Sequence, residues 1–293
     1  MKQMIEDDPY HLTSLWDALQ SIYEEFRRVC DKNKLRHWIG YGTLLGAVRH
    51  NGFIPWDDDF DVVMPRADYN RFKEIARREL PSHLKFVDHY NSPEFKKHFG
   101  KVQDARKDVV LSVEKQVGHM LSGGIYIDVF PIDGYPPRGV KRQMDIFVGR
   151  AYGAIHFYHD FKKVGYRLTP KRVVAYAIGM LLSIFVGRVA RGERGFVWND
   201  RRLSRINFDP DRVSAIAGNM HGWFELILEP GIFSRTVELP FRNTTVSCPV
   251  GWHSFLERLY GDFMKLPPEE KRHPTHVYKS RCEWWLGPTI SNN

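Results

Sequence analysis

Four aspartates within five positions, Asp57, Asp58, Asp59 and Asp61, form the stretch of this sequence best suited to chemistry. Asp59 and Asp61 alternate with two apolar residues, a pattern that directs both carboxylates to one face of a β-strand. Neighbouring carboxylates repel and raise each other's pKa unless a cation lies between them. Mg²⁺ takes such oxygen ligands and also binds phosphates. The spacing therefore predicts a Mg²⁺ site, with Mn²⁺ as the alternative ion, in which Asp57 assists and Asp58 faces away.

An acidic run of this kind can also be a solvated loop. Here, however, the flanking residues are large and apolar: Trp56, Phe60, Val62 and Val63. Solvated charge runs seldom have such neighbours, so the metal site is the favoured interpretation.

A third carboxylate, Asp128, lies within the apolar run Ile125–Phe130, which has the character of a strand. A buried carboxylate is costly unless it has a cation, a proton or a hydrogen-bonded partner. One interpretation ties Asp128 to backbone amides, and the other makes it a third metal ligand. The small residues Gly42 and Thr43 could present backbone amides to phosphate oxygens in front of this site.

The segments around these residues are predicted to alternate between helices and strands. Apolar periodicity predicts, in chain order, a helix ending near Lys34, strands over His37–Tyr41 and Asp59–Met64, a helix over Ala67–Leu80, the strand around Asp128, a helix over Lys141–Phe161, a hairpin over Arg235–Phe241 and Thr244–Ser247, and a helix from Trp252 to near Lys265. Three prolines are expected to form a rigid turn directly after the Asp128 strand: Pro131, Pro136 and Pro137.

The segment 141–200 differs from its surroundings in character. Its run Val173–Gly187 has no charged residue and is shorter than the about 20 residues needed to span a bilayer. The run is either a buried helix or a helix in the membrane interface. The second alternative is based on the basic residues that bracket it. We expect one compact unit over residues 1–293, with a helical insertion over about 141–200 that the second alternative would make membrane-facing.

The composition limits the class of protein and the kind of partner. At 293 residues, with 43% hydrophobic and 27% charged residues, the chain is globular. A net charge of +8 favours anionic partners such as nucleotides, nucleic acid or acidic lipid. The three cysteines form no C-x-x-C pair, so neither a disulfide framework nor a thiolate zinc site is predicted. The first residues lack the apolar core of a signal peptide, and a cytoplasmic location is expected.

Longer strings around the acidic run are more specific than its single residues. Residues 41–49 are Tyr-Gly-Thr-Leu-Leu-Gly-Ala-Val-Arg, and residues 52–61 are Gly-Phe-Ile-Pro-Trp-Asp-Asp-Asp-Phe-Asp. Residues 124–134 add Gly-Ile-Tyr-Ile-Asp-Val-Phe-Pro-Ile-Asp-Gly. Together these strings resemble the LicD family of phosphocholine transferases, which includes fukutin-related protein. Weaker C-terminal matches extend the resemblance to about residue 276, and it is least clear over 140–230.

The resemblance implies an α+β (mixed α/β) fold: a polymerase-β-like nucleotidyltransferase core with a small mixed sheet, a helical insertion and a C-terminal helix. It implies transfer of a phospho-alcohol, with phosphocholine favoured, from a CDP-linked donor to a sugar hydroxyl of a surface glycan or its lipid-linked precursor, releasing CMP. The expected partners are therefore a CDP-alcohol and a glycan or lipid-linked sugar, and no nucleic acid. A cytoplasmic enzyme, with peripheral contact to the inner face of the membrane, fits these partners.

The resemblance also implies roles for single residues. Asp59, Asp61 and Asp128 would be the catalytic metal ligands, supported by Asp57. Asp128 is also the candidate for assisting deprotonation of the acceptor hydroxyl.

Further residues are assigned to the donor. Gly42 and Thr43 would contact its phosphates. Arg49 and Lys101 are expected to counter phosphate charge, although each could instead form a surface salt bridge. A choline group would need an aromatic box, for which the candidates are equally good core residues: Trp56, Trp223, Trp252 and Tyr260.

Two other functions are alternatives to this one. An Asp-x-Asp glycosyltransferase would use the aspartates to hold a nucleotide-sugar, but such enzymes commonly place a nucleotide-binding half of about 100 residues before the motif. Only 58 residues precede Asp59. A non-enzymatic membrane-surface protein has no support in the sequence, since all three predicted metal carboxylates are present.

Overall fold

The computed structural model describes residues 10, 12–93, 95, 97–104, 124–164, 170–212, 214–217 and 226–274. Within these ranges the helices and strands are, in chain order, α1 (Thr13–Lys32), β1 (Trp38–Ile39), α2 (Tyr41–His50), β2 (Asp61–Pro65), α3 (Arg66–Glu79), β3 (Leu84–Val87), β4 (Gly100–Asp104), β5 (Tyr126–Tyr135), α4 (Val140–Val164), α5 (Pro170–Arg191), α6 (Glu193–Leu203), β6 (Ser214–Ala217), β7 (Leu226–Leu228), β8 (Thr236–Phe241), β9 (Thr244–Pro249), α7 (Trp252–Tyr260) and a short 3₁₀ turn, Glu269–Lys271. The fold is a mixed α/β fold, as the sequence predicts.

Helix α1 covers the sheet with one apolar face. Its buried residues recur at three and four positions, so they form the single stripe that an amphipathic helix turns towards a core. Phe26 of this stripe packs on Phe72 of α3 with the ring centroids 4.8 Å apart. Tyr23 packs on Phe60, at 4.7 Å, directly before β2. This aromatic layer fixes the position at which the acidic stretch enters the sheet.

The main sheet has the order β1-β2-β5-β4-β3, with β6 and β7 continuing from β5. Only β2 and β5 run parallel, and every other described pair is antiparallel. The seven-stranded sheet is thus mixed, but it is larger than the small sheet that the resemblance implies. A separate hairpin, β8–β9, confirms the predicted one.

Strand β5 is longer than predicted because Pro131 lies inside it and does not end it. Pro131 pairs with Met64 of β2 on one edge. On the other edge, the pairing with β4 ends at Val129 and that with β6 begins at Ile132. Proline lacks a backbone N–H, but none is needed between these two neighbours. The prediction of a turn at Pro131 is therefore wrong, whereas Pro136 and Pro137 do follow the strand.

Two other predicted boundaries are corrected. Strand β2 begins at Asp61, so Asp59 lies in the preceding loop and the alternation expected of a strand does not apply to it. Helix α7 ends at Tyr260 and not near Lys265, because Gly261 adopts a left-handed backbone with φ of 66° that ends a helix.

Helices α4, α5 and α6 lie between β5 and β6 in the sequence, where a helical insertion is predicted. α4 and α5 pack closely: a Cβ on Gly179 would lie 2.0 Å from the carbonyl oxygen of Ala154. Asp200 ties α6 to the loop after β3 and to the start of α3, since it accepts a hydrogen bond of 2.6 Å from the Tyr90 hydroxyl and lies 3.3 Å from Arg66 Nη1. No helix in the described ranges combines the length and apolar character that crossing a bilayer requires.

Candidate active site

The parallel pairing of β2 and β5 places Asp61 directly opposite Asp128. The backbone N–H of Asp128 donates to the Phe60 carbonyl at 2.9 Å, which fixes this register at the start of both strands. Asp61 is 8% exposed, and the Asp128 side chain is 16% exposed. Two carboxylates on neighbouring strands therefore meet in a poorly solvated place.

The charges around Asp61 show that the predicted carboxylates form one cluster. Burial raises the pKa of Asp61 well above its usual range, and the charges of Asp59, Asp128 and Asp57 raise it further, in that order. The other three aspartates predicted as metal ligands are thus all close enough to act on the Asp61 carboxyl. Such a cluster favours binding of a cation or a proton.

The donor set fits a hard divalent cation in its chemistry, because it consists of carboxylate oxygens. In the part of the chain that the structure describes, no three acidic, histidine or cysteine side chains already form a ligand set. The aspartates are therefore grouped electrostatically, and their side chains would have to turn towards a shared ion to coordinate it.

The N-terminal turn of α2 holds this cluster in place. The Asp61 backbone N–H donates to the Thr43 hydroxyl at 2.8 Å, and the Asp61 carbonyl accepts from the Gly40 N–H at 3.0 Å. A Cβ on Gly42 would lie 2.6 Å from the Asp57 Oδ2. Glycine at this position leaves room for that carboxylate to approach the helix N-terminus, where the backbone N–H groups and the helix dipole favour negative charge.

Lys101 is brought to the cluster by the pairing of β4 with β5, in which it lies opposite Asp128. Its Nζ is 3.8 Å from the Asp128 Oδ1 and 3.2 Å from the centroid of the Tyr126 ring. Lys101 is only 5% exposed, so the alternative of a surface salt bridge is wrong for this residue. Lys101 thus places a buried cation next to the aspartates, and its contact with donor phosphate stays a prediction.

Comparison with known proteins adds to this geometry. Residues 34–151, which contain both strands and α2, match the family model described as LicD/FKTN/FKRP, nucleotidyltransferase domain. This part of the chain is similar to a LicD-family nucleotidyltransferase domain. The resemblance stated from its sequence motifs is confirmed.

Individual relatives differ in how much of the chain they match. The lipopolysaccharide cholinephosphotransferase LicD of Haemophilus influenzae is 26% identical over 274 residues, which is 89% of this chain and 94% of that protein. Human ribitol 5-phosphate transferase FKRP is 38% identical over 48 residues, 16% of this chain and 10% of its own. Mannosyltransferase regulator 4 of Saccharomyces cerevisiae is 36% identical over 47 residues, covering 16% and 4%. The long match supports an enzyme of phosphotransferase type with a donor and an acceptor.

Arg49, unlike Lys101, contacts the C-terminal segment of the chain. Its Nη1 donates to the Phe263 carbonyl at 3.0 Å and its Nε donates to the His50 ring at 3.0 Å. Burial lowers the pKa of Arg49, while Tyr260 and Asp57 act in the opposite direction. Arg49 thus joins the C-terminal segment to the edge of the cluster, and its contact with donor phosphate stays a prediction.

Asp58 differs from the other aspartates because its charge does not shift the pKa of Asp61. It is 6% exposed, so it is buried and not solvated. Its charge is not among the causes that shift the pKa of Asp61, and its orientation relative to a metal stays a prediction.

Sequence reasoning gave no catalytic role to two tyrosines that the structure places at the cluster. Desolvation by the surrounding protein raises the pKa of Tyr260, although the residue is 44% exposed, and the charges of Asp61, Asp57 and Asp59 add to this. Burial and then Asp61 likewise raise the pKa of Tyr41, whose backbone has a left-handed φ of 45°. The available signal was their position: Tyr41 begins the most specific motif, and Tyr260 lies in a C-terminal match.

The other candidates for an aromatic box have different neighbours. Trp56 lies near the His50 ring and beneath the Arg272 guanidinium, which is 5.8 Å from its ring centroid. Trp252 packs on Phe263. Trp223 lies outside the described residues. Tyr260 is the candidate whose hydroxyl has a pKa raised by the charges of the aspartates.

Proposed function

We propose that this protein transfers a phospho-alcohol group, with phosphocholine favoured, from a CDP-linked donor to a sugar hydroxyl of a surface glycan or its lipid-linked precursor. The observation that carries the proposal is the pairing of Asp61 with Asp128 inside a LicD domain, next to Asp59 and the buried Lys101. The match along nearly the whole chain to a cholinephosphotransferase supports phosphocholine as the group.

Mg²⁺, or Mn²⁺ as the alternative, would be held by Asp59, Asp61 and Asp128, with Asp57 in support. When bound, such an ion neutralises phosphate charge and lowers the pKa of an attacking hydroxyl. Requirement for the ion is part of the proposal and follows from the repulsion within the cluster.

The chain's own residues perform the remaining parts of the transfer. The acceptor oxygen attacks the phosphorus that carries the alcohol, the bond from that phosphorus to the CMP oxygen breaks, and CMP leaves. The Asp128 carboxylate accepts the proton of the acceptor hydroxyl. Thr43 holds the backbone of Asp61 through its hydroxyl, and Lys101 offsets part of the phosphate charge.

The decisive experiment measures CMP release and glycan labelling with CDP-choline, CDP-ethanolamine, CDP-glycerol and CDP-ribitol. We expect one CDP-alcohol to be turned over in the presence of Mg²⁺, and Asp61→Asn to lower the rate about 10³-fold or more. Asp211→Asn, in an exposed loop, is the matched control and should keep the full rate. Full transfer by folded Asp61→Asn would contradict the proposal.

Thermal unfolding in the presence of CDP-alcohols or UDP-sugars tests the alternative of an Asp-x-Asp glycosyltransferase. Thermal protection by UDP-sugars without protection by any CDP-alcohol would favour that reading. We expect the reverse, because the matched domain is a nucleotidyltransferase domain of the LicD family.

A further inference from the structure

Helix α5 carries an exposed apolar face that a water-soluble surface seldom has. Nine of its large hydrophobic residues are at least 40% exposed: Val173, Val174, Ile178, Met180, Leu181, Ile184, Phe185, Val186 and Val189. Ile184 is 71% exposed and Phe185 is 85% exposed. Large contiguous apolar patches of this kind mark contact with a protein or a membrane.

The opposite face of α5 is already occupied by α4. Tyr176 packs on Tyr158 with ring centroids 5.0 Å apart, and Ser183 hydrogen-bonds the His159 ring at 3.0 Å. At Gly179 the two helices lie so close that there is no room for a Cβ. The helix is therefore fixed on one side by α4, and its apolar side faces away from the fold.

The charges of α5 indicate what covers the apolar side. The helix has four basic residues and no acidic one, with two basic residues near each end and an uncharged stretch between them. Arg188 and, directly beyond the helix, Arg194 are exposed. A second copy packed through this face would bring basic ends together without any acidic residue of α5 to offset them. An anionic lipid surface offers both an apolar interior and negative headgroups.

We propose that the exposed face of α5 docks the protein on an anionic membrane, with the helix lying in the interface. The apolar side chains enter the boundary between headgroups and acyl chains, and the arginines contact the headgroups. This proposal is independent of the reaction, although it would hold the active site near a lipid-linked acceptor.

The test is sedimentation of the full chain with vesicles of phosphatidylcholine alone or mixed with phosphatidylglycerol, at low salt. We expect binding to the mixed vesicles and at least about tenfold weaker binding by Ile184→Ser/Phe185→Ser. Leu266→Ser, which changes a 43% exposed residue outside the helical insertion, is the matched control and should bind as the original does. Circular dichroism and thermal unfolding would confirm that each variant is folded.

A charge variant separates the two parts of the contact. Arg188→Gln/Arg194→Gln should lower binding to mixed vesicles about fivefold for each charge removed, with no change for neutral vesicles. The proposal is overturned if no vesicle binds, or if Ile184→Ser/Phe185→Ser binds as the original does. A dimer that this apolar variant converts to monomer, without vesicle binding, would overturn it in favour of a second copy.

Discussion

The paired strands β2 and β5 have a cluster of carboxylates at one end and the buried Asp133 of β5 near the other, and the two ends are built differently. At the first end, Asp61 and Asp128 face each other, and their like charges contribute to the raised pKa of Asp61. At the other end, the Asp133 carboxylate accepts two hydrogen bonds, of 2.7 and 2.6 Å, from the Arg66 guanidinium. Burial lowers the pKa of Arg66, but the neighbouring Asp133 and Asp200 raise it on balance.

The difference shows that burial alone does not identify a functional carboxylate. Asp133 is more deeply buried than Asp61, yet its charge is matched by a forked arginine that belongs to the fold. Asp61 is surrounded mainly by other carboxylates, an arrangement that costs stability and is retained where a ligand supplies the missing positive charge. The first end is therefore the candidate active site, and the second is part of the framework.

Removing the arginine should have the largest effect on stability. Arg66→Leu would leave Asp133 buried without its forked partner, so we expect the free energy of unfolding to fall by about 3–5 kcal/mol. Urea unfolding at neutral pH measures this loss. Replacing both residues, as in Arg66→Leu/Asp133→Leu, should recover part of it, because the buried Asp133 charge is gone, while Asp200 loses Arg66 but keeps its hydrogen bond from Tyr90. Equal losses for the single and double variants would show that packing, and not charge, holds this end together.

Removing the Asp61 carboxylate, at the first end, should instead increase stability. The folded-state pKa of Asp61 lies above its unfolded value of about 3.9. Its contribution to stability is therefore present below about pH 4 and is lost as the pH rises through the folded pKa. In a chelator at neutral pH, we expect Asp61→Asn to be more stable than the original protein, because it removes the charge that burial and the neighbouring carboxylates oppose.

Thermal unfolding of both proteins across acid to neutral pH measures this gain. The advantage of Asp61→Asn should grow with pH, and added Mg²⁺ should reduce it by stabilising the original protein. Parallel curves for the two proteins would mean that the aspartates do not oppose one another in the folded state.

The sequence predicts the first end better than the second, for a physical reason. Asp61 and Asp128 lie in short local patterns, an acidic run and an apolar strand, that indicate their chemistry without a tertiary structure. The pairing of Arg66 with Asp133 joins residues 67 positions apart and depends on the register of two strands, which no local pattern records. The prediction of a turn at Pro131 is wrong for a related reason. The rule that proline ends a strand does not consider which edge of the strand needs an N–H.

The smallest expected effect is that of replacing Thr43, whose hydroxyl holds the Asp61 backbone. This replacement distinguishes two roles for Thr43. The structure shows the hydroxyl of Thr43, which is 2% exposed, accepting from the Asp61 N–H, whereas the family resemblance implies contact with donor phosphate. Thr43→Val keeps the shape and leaves that buried N–H without its partner, so stability should fall by about 1 kcal/mol. A positioning role predicts about tenfold lower kcat with the donor KM unchanged, and rescue by Thr43→Ser, since serine restores the hydroxyl. A raised donor KM at constant kcat would instead assign Thr43 to phosphate binding, and the first turn of α2 would then belong to the donor site and not only to its framework.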